Sequence, residues 1–285
     1  VRPAEPGKNS KVLLQLTTNT YNAYNNWGGT SLYAYHGRAG VQGHRVSFDR
    51  PPSSQFNNWE RPFIQWAEKN GYELDYAVNS DLESTPMRDH LEQFIAQGGN
   101  VAFFSGNSVC WQVRSEDDGR ALTCWKENYF KDPVYATGDY TLLTSLWSHH
   151  LIKRPENELT GVGFLQGGFH KSHGQFMDGS GAFTVHRPEH WIFEGTELKR
   201  DDSFGGHNTV VGYECDGSEL EWRDGLPFPT YRDGTPETFT VLGTAPASWH
   251  PGDSEWYEKW EKGRVGAACL GVYTKPSGGT VFTSG

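Results

Sequence analysis

A loop after the first predicted strand carries a high density of hydrogen-bonding side chains. Residues 21–29 read Tyr-Asn-Ala-Tyr-Asn-Asn-Trp-Gly-Gly and hold two tyrosines, three asparagines and one tryptophan. Such groups are costly to bury unless they bond to a ligand or to each other. The simpler interpretation is an asparagine network that holds the loop together. We favour substrate binding by Tyr21, Asn25 and Trp27, because the loop leaves the strand end where open parallel sheets bind ligands.

A second candidate lies where another predicted strand ends, at Gly-Asn-Ser-Val-Cys (residues 106–110). Enzymes that use a serine or cysteine nucleophile often place it on a tight turn after a central strand. Ser108 or Cys110 could serve in this way. The simpler interpretation is a Gly-Asn turn with Cys110 buried beside Trp111. We favour this interpretation because no histidine–acid pair can be assigned, and we predict that Cys110 is buried and outside any disulfide.

Other chemical motifs are absent from the sequence. It contains no GxGxxG after a strand, no Walker loop, no HExxH and no GxSxG. The histidine pairs at 170 and 173 and at 186 and 190 are loose, and Pro188 interrupts the second pair. Such pairs are more often structural than metal-binding.

The amino-acid composition restricts the kinds of molecule that the protein could bind. The 285 residues carry a net charge of −10 with no basic run, which argues against nucleic acid and anionic membranes. No apolar stretch reaches membrane-spanning length. The four cysteines are widely spaced and say little about redox compartment. We therefore expect a globular protein that acts on a small molecule, and we favour the cytoplasm.

The first half alternates predicted strands and helices. Strands are predicted at 11–17, 73–78 and 100–105, and helices at 59–70 and 85–97. We expect Phe63, Trp66 and Ala67 to face inward on the first helix, with Gly71 closing it. This order predicts an α/β fold in which the three strands share one mostly parallel sheet.

The second half of the sequence has more frequent turn signals and shorter apolar runs than the first. From residue 161, Asp-Gly and other turn signals separate short strand-like runs such as 239–242, 267–273 and 279–284. We expect an α/β core over residues 1–160 and a β-rich continuation over 161–285 that packs on it.

Several stretches together resemble a known family. They are residues 20–33, 98–114, 154–164, 190–198 and 211–217. In combination they are similar to the C-terminal domain of the N,N-dimethylformamidase large (beta) subunit family, over nearly the whole chain. The resemblance implies a flavodoxin-like, class I glutamine amidotransferase-like fold, with β-rich C-terminal additions. It also implies hydrolysis of amide C–N bonds.

The resemblance further implies a mononuclear iron held by two tyrosines and one glutamate, which is a ligand set that suits a hard cation. Tyr24 (alternatively Tyr21) is the candidate phenolate, and Glu127 is the candidate carboxylate. The remaining candidates are assigned by role. Catalytic or supporting roles fall to Asn107, Ser108, Asn157, His207 and Glu214, and further substrate contacts fall to Trp111 and Arg114.

The chain departs from the family pattern before the helix at Pro86. There the family has a strand and a tyrosine-bearing His-Asp-Glu-Tyr-Trp-type loop, whereas here Ser84 runs directly into Thr85. Only residues 79–84 would carry the chain back across the sheet, so we predict a further segment between about Leu82 and Pro86. The stretch 123–126 occupies the approximate place of the family's glutamate, which bears on the predicted iron.

Three functions stay open from the sequence. The first is a metal-assisted amide hydrolase, and the second is a hydrolase that uses Ser108 or Cys110 without metal. The third is a non-catalytic domain that binds carbohydrate through the Tyr/Trp-rich loop at residues 21–29, which would present exposed, coplanar aromatic rings. A homo-oligomer or an additional N-terminal domain is also possible.

Overall fold

The computed structural model describes residue 10 and residues 12–33, 41–51, 55–78, 82–170, 181–249 and 265–285. The chain divides into two compact units. The first spans residues 1–85 and 111–145, and the second spans 86–110 and 146–285. The boundary expected near residue 160 falls inside the second unit.

The first unit contains short strands in small sheets. Its elements are β1 (Val12–Leu16), α1 (Thr18–Tyr24), β2 (Arg45–Ser47), α2 (Glu60–Lys69), β3 (Leu74–Val78), β4 (Leu82–Glu83), β6 (Trp111–Gln112), β7 (Arg114–Glu116) and β8 (Ala121–Thr123). Strands β1 and β3 pair in parallel, as do β4 and β6, while β2, β8 and β7 form an antiparallel sheet. Two 3₁₀ segments follow β8, at Lys126–Lys131 and Pro133–Thr137.

Helix α2 forms where it is predicted, but its aromatic side chains do not face inward. Ala67 is its buried residue, whereas Phe63 is 37% exposed and Trp66 is 55% exposed. The inward prediction for these two rings was therefore wrong. The parallel pair β1–β3 is too narrow to cover a full helix face. Gly71 adopts φ +83° after the helix, as its predicted role at the helix end requires.

The second unit is built around one large sheet. Its elements are α3 (Thr85–Ala96), β5 (Val101–Phe103), α4 (Asn157–Thr160), β9 (Gly163–Phe169), β10 (Phe183–Val185), β11 (Ser203–Phe204), β12 (Glu214–Gly217), β13 (Leu220–Arg223), β14 (Leu226–Pro229), β15 (Thr240–Ser248), β16 (Val265–Thr274) and β17 (Thr280–Thr283). Thr85, the first residue of α3, belongs to the first unit. The eight-stranded sheet runs β11-β10-β15-β16-β17-β5, with β9 joining β15 and β12 joining β9. Among its described pairs, β17–β5 is parallel and the rest are antiparallel.

The predicted fold class was wrong. The described residues form one curled, mostly antiparallel eight-stranded sheet and four small sheets, two of which are parallel pairs, and not a mostly parallel flavodoxin-like or amidotransferase-like α/β fold. Strand β5 lies in the eight-stranded sheet, whereas β1 and β3 form their own sheet, so the prediction of one shared sheet also fails. Short connections such as the one between β16 and β17 allow only antiparallel pairing. The β-rich half therefore forms the main sheet and does not merely decorate a parallel core.

The apolar core of the second unit consists of two clusters of buried side chains, and strands β15 and β16 contribute to both. In the first cluster, Leu242, Ala245 and Leu270 pack with Phe183 and Val211, and all five residues are less than 5% exposed. The second cluster is equally buried, and its members include Ile95, Trp147, Leu159, Val241, Cys269, Tyr273 and Val281. In the described residues, no helix is long and apolar enough to cross a membrane.

Candidate functional site

A phenol and a carboxylate meet at the C-terminal end of β1. The Tyr21 hydroxyl, on α1, donates to Glu60 and lies 2.7 Å from each carboxylate oxygen. The Thr17 hydroxyl, directly after β1, donates to Oε1 of the same carboxylate at 2.7 Å. All three side chains are half-buried. Glu60 is the first residue of α2, where the helix dipole favours negative charge.

The sequence analysis singled out Tyr21 but missed Glu60. The one signal that could have pointed to Glu60 is its place as an acidic residue in the first turn of a predicted helix. Acidic residues are common at this position in helices that form no functional site, so the signal is weak. The side chains of Tyr21, Glu60 and Thr17 form a group that we call the β1-end site. In this site the half-buried carboxylate can accept a proton from a small ligand, and the half-buried phenol can donate one to it.

The stretch predicted as a loop begins in helix α1, which includes Asn22, and its asparagines mainly hold this stretch in place. The Arg50 guanidinium donates to the Asn22 backbone and side-chain oxygens, both at 2.8 Å, and to the Asn25 carbonyl at 2.7 Å. Asn25 also donates to the Pro51 carbonyl and accepts from the Trp27 N–H. The simpler interpretation thus accounts for the Asn25 side chain, while the Trp27 ring is 58% exposed.

Beside this loop a lysine is buried against aromatic rings. Tyr24 stacks on Tyr33 with ring centroids 3.9 Å apart. The Lys126 Nζ lies 3.5 Å from the Tyr33 centroid and 4.1 Å from the Trp111 centroid. Lys126 is only 2% exposed and Trp111 only 5%. We call these four residues the Lys126 enclosure. It brings together Tyr24 and Trp111, two residues that the sequence predicted as site members.

Arg114, a predicted substrate contact, instead supports the segment around the enclosure. Its guanidinium donates to Asp132 at 2.7 Å, and the same carboxylate oxygen accepts the Thr144 N–H and hydroxyl. Burial alone would raise the pKa of Asp132, but these hydrogen bonds outweigh it and lower the pKa. Asp132 is thus an ionised anchor for the backbone at Thr144.

The predicted iron ligands Tyr24 and Glu127 are not hydrogen-bonded to each other in the described chain, and their role as metal ligands stays a prediction. The Tyr24 ring is packed face to face on Tyr33, and a lysine ammonium occupies the other face of Tyr33. Glu127 makes no hydrogen bond or ion pair with a described residue. Within the described residues, no group of three His, Cys, Asp or Glu side chains could hold a metal ion.

In the second unit, an aspartate holds the turn after β5. The Asp216 carboxylate accepts the N–H groups of Asn107 at 2.9 Å and Ser108 at 2.8 Å. Asn107 and Val109 adopt φ of 56° and 55°, which are uncommon for residues other than glycine. A Cβ at Gly106 would lie 2.1 Å from the Glu214 carbonyl oxygen, so the turn requires glycine there.

The geometry does not favour a nucleophile at this turn. Ser108 is 3% exposed, and its hydroxyl donates to the Ser105 carbonyl at 2.8 Å and lies 3.0 Å from the Ser105 hydroxyl. Those are its side-chain bonds in the described chain, and neither involves a histidine. Cys110 is 1% exposed and carries a thiol, which confirms that it is buried and outside any disulfide.

The other three cysteines are also buried thiols. Burial raises the pKa of Cys124 to about 11 and those of Cys215 and Cys269 to about 12. These three thiols are therefore protonated at neutral pH and do not act as thiolate nucleophiles.

Two fully buried acids lie near this turn. Burial raises the pKa of Glu156 to about 7, against the opposing influence of its own N–H and of Arg88. Burial also raises the pKa of Asp216 well above its usual range; the Ser108 N–H opposes this, and the negative charge of Glu156 adds to it. One Glu156 oxygen accepts the Phe164 N–H at 3.2 Å, and the other, Oε2, has no hydrogen-bond partner among the described atoms.

The remaining predicted catalytic residues are not gathered at one point. The Asn157 amide nitrogen lies 3.2 Å from each of the Gly217 carbonyl, an Asp233 carboxylate oxygen and the Thr235 hydroxyl, so Asn157 ties α4 to two neighbouring segments. His207 is exposed in a 3₁₀ turn. Glu214 accepts a weak hydrogen bond from the Asn107 amide at 3.4 Å. Catalytic roles for these residues and for Ser108 stay predictions.

Comparison with known families assigns the chain to one of them. Residues 1–87 and 83–285 match the family model described as N,N-dimethylformamidase beta subunit-like, C-terminal. Among curated proteins no match is found. The two matched segments meet at residues 83–87, where the chain departs from the family pattern. Together they cover the whole chain, so it belongs to the N,N-dimethylformamidase beta subunit-like C-terminal family.

Proposed function

We propose that the chain hydrolyses C–N bonds of small amide-type substrates at the β1-end site. The observation that carries the proposal is the contact of the Tyr21 phenol with both oxygens of Glu60, 2.7 Å from each. Family membership supports a hydrolase of this class. The site's side chains are half-buried, so a ligand that reaches them from solvent could replace part of their hydrogen bonding.

The site offers two of the groups that amide hydrolysis needs. The Glu60 carboxylate can act as general base for a water molecule that attacks the amide carbonyl carbon. The Tyr21 hydroxyl can turn from Glu60 to the carbonyl oxygen and stabilise the negative charge that develops there. The proton taken by Glu60 then passes to the leaving amine, and the C–N bond breaks. Thr17 holds the Glu60 carboxylate in place during these steps.

The iron implied by the family resemblance remains a prediction for this chain. Iron would supply a Lewis acid that polarises a carbonyl and acidifies water. The roles of Tyr24 and Glu127 as metal ligands are predictions, so the steps above use only side chains of the chain.

The test is product release from simple amides by the purified chain. Formamide, its N-methyl and N,N-dimethyl derivatives and acetamide would be incubated with the protein, and acid and amine would be measured together. We expect equimolar acid and amine, with Tyr21→Phe reducing the rate. An intact, folded protein that releases neither product from this panel, with or without added iron, would overturn the proposal.

Carbohydrate binding is a second candidate that one observation favours. Trp66 and Tyr72 are 55% and 51% exposed, and their ring planes differ by 23° with centroids 5.8 Å apart. Exposed aromatic faces can pack against the apolar faces of sugar rings. Binding on a glycan array that is lost in Trp66→Ala would support this candidate, and an array without signal would remove it.

A further inference from the structure

The Lys126 enclosure places a positive charge inside the first unit. Removing an ammonium from water is costly unless the protein compensates it. Here the faces of Tyr33 and Trp111 lie 3.5 and 4.1 Å from Nζ, and ring faces attract cations most strongly when water is excluded. The enclosure is therefore built around a cation that belongs to the chain.

The backbone conformation and hydrogen bonds of Lys126 hold its side chain in this position. Lys126 adopts φ 53°, a conformation that costs energy for a residue other than glycine. Its N–H donates to the Thr144 carbonyl at 3.0 Å, and its carbonyl accepts the Ser145 hydroxyl at 3.2 Å. Both the N–H and the carbonyl of Lys126 are therefore held by hydrogen bonds. The side chain that lies over the rings of Tyr33 and Trp111 is that of Lys126.

A fixed ammonium opposes a metal ion at the same rings. A divalent ion bound to the Tyr33 oxygen would lie within about 8 Å of Nζ, because Nζ is 3.5 Å from the centroid of that ring. At an effective dielectric constant of about 20, the repulsion at this distance lowers metal affinity by about a thousandfold. A trivalent ion is repelled more strongly. The enclosure therefore selects against the cation that the tyrosines would otherwise attract.

We propose that Lys126 supplies the positive charge of this tyrosine cluster, so that the chain binds no metal ion there. The ammonium can stabilise negative charge on a nearby phenol or ligand oxygen, which is one of the tasks a Lewis acid performs. The proposal does not depend on amide hydrolysis, because metal binding is measured without turnover.

The test compares iron binding by the full chain and by variants at position 126. Each protein would be incubated with ferrous and ferric iron, desalted, and measured for metal content and for a visible phenolate-to-iron charge-transfer band. We expect wild type and Lys126→Arg to retain no stoichiometric iron and to show no band. Lys126→Glu reverses the charge beside the tyrosines, so the same Coulomb estimate, applied to a change of two charges, predicts a gain in iron affinity of about a millionfold and the appearance of the band.

Lys126→Met is the matched control, since it removes the charge and retains an unbranched side chain. We expect it to bind iron more tightly than wild type and less tightly than Lys126→Glu. Circular dichroism would establish that each variant is folded. Stoichiometric iron with a charge-transfer band in wild type would overturn the proposal. If Lys126→Glu does not fold, an iron affinity of Lys126→Met equal to that of wild type would overturn it as well.

Discussion

Replacing Glu156 with glutamine tests whether this buried acid is protonated in the folded chain. Glu156 is fully buried, and its pKa rises from 4.5 to about 7. In the unfolded chain it ionises near 4.5, so between these pH values the folded state binds more protons. The contribution of Glu156 to the free energy of unfolding therefore falls as pH rises from 4.5 to 7. A shift of this size corresponds to about 3 kcal/mol.

Glu156→Gln keeps the shape of the protonated acid and cannot ionise. We expect the difference in unfolding free energy, variant minus wild type, to rise by about 3 kcal/mol between pH 4.5 and pH 7 and to level off above it. Urea unfolding followed by tryptophan fluorescence at a series of pH values would measure this difference. Glu158→Gln, two residues along and about half exposed, is the matched control, and its difference should change much less. A Glu156→Gln difference that stays constant with pH would show that Glu156 is not protonated in the folded chain.

Three further changes test other parts of the structure. Asp216→Ala leaves the N–H groups of Asn107 and Ser108 without their acceptor, so urea unfolding should show a loss of about 2–4 kcal/mol, and a loss below about 0.5 kcal/mol would contradict this anchor. Trp66→Ser should change stability by less than about 0.5 kcal/mol, whereas Ile95→Ala should cost about 2–5 kcal/mol; equal losses would mean that α2 is packed as the sequence predicted. In peptide mapping of protein from the natural source, we expect no tryptic peptide that runs directly from Asn70 to Arg88, because the further segment predicted between Leu82 and Pro86 would interrupt it. Detection of that peptide would show that the direct connection is real.

Local structure was the part of the fold that the sequence predicted well. The apolar run at β1, the helix signals of α2 and α3 and the glycine at 71 all act over a few residues, so they can be seen in a single chain. Sheet membership was not predictable in this way. The pairing of β5 with β17 joins residues about 180 positions apart, and no local pattern indicates it.

The site was predicted in part for a related reason. Tyr21 stands in a dense polar loop, so its residue types drew attention. Its partner Glu60 looks like an ordinary first-turn acid, and only the fold brings it to the Tyr21 hydroxyl. Lys126 resembles a surface lysine in the sequence, and its burial depends on Tyr33 and Trp111, which are distant along the chain.

In the proposed function, Glu60, and not Glu127, is the carboxylate that supports amide hydrolysis. The most direct measurement is kcat/KM for amide hydrolysis by wild type, Glu60→Gln and Glu127→Gln under identical conditions. Loss of a general base typically lowers rates by about 10²–10⁴-fold. We predict a loss of this size for Glu60→Gln and little change for Glu127→Gln. Full activity in Glu60→Gln, or a large loss confined to Glu127→Gln, would contradict the account.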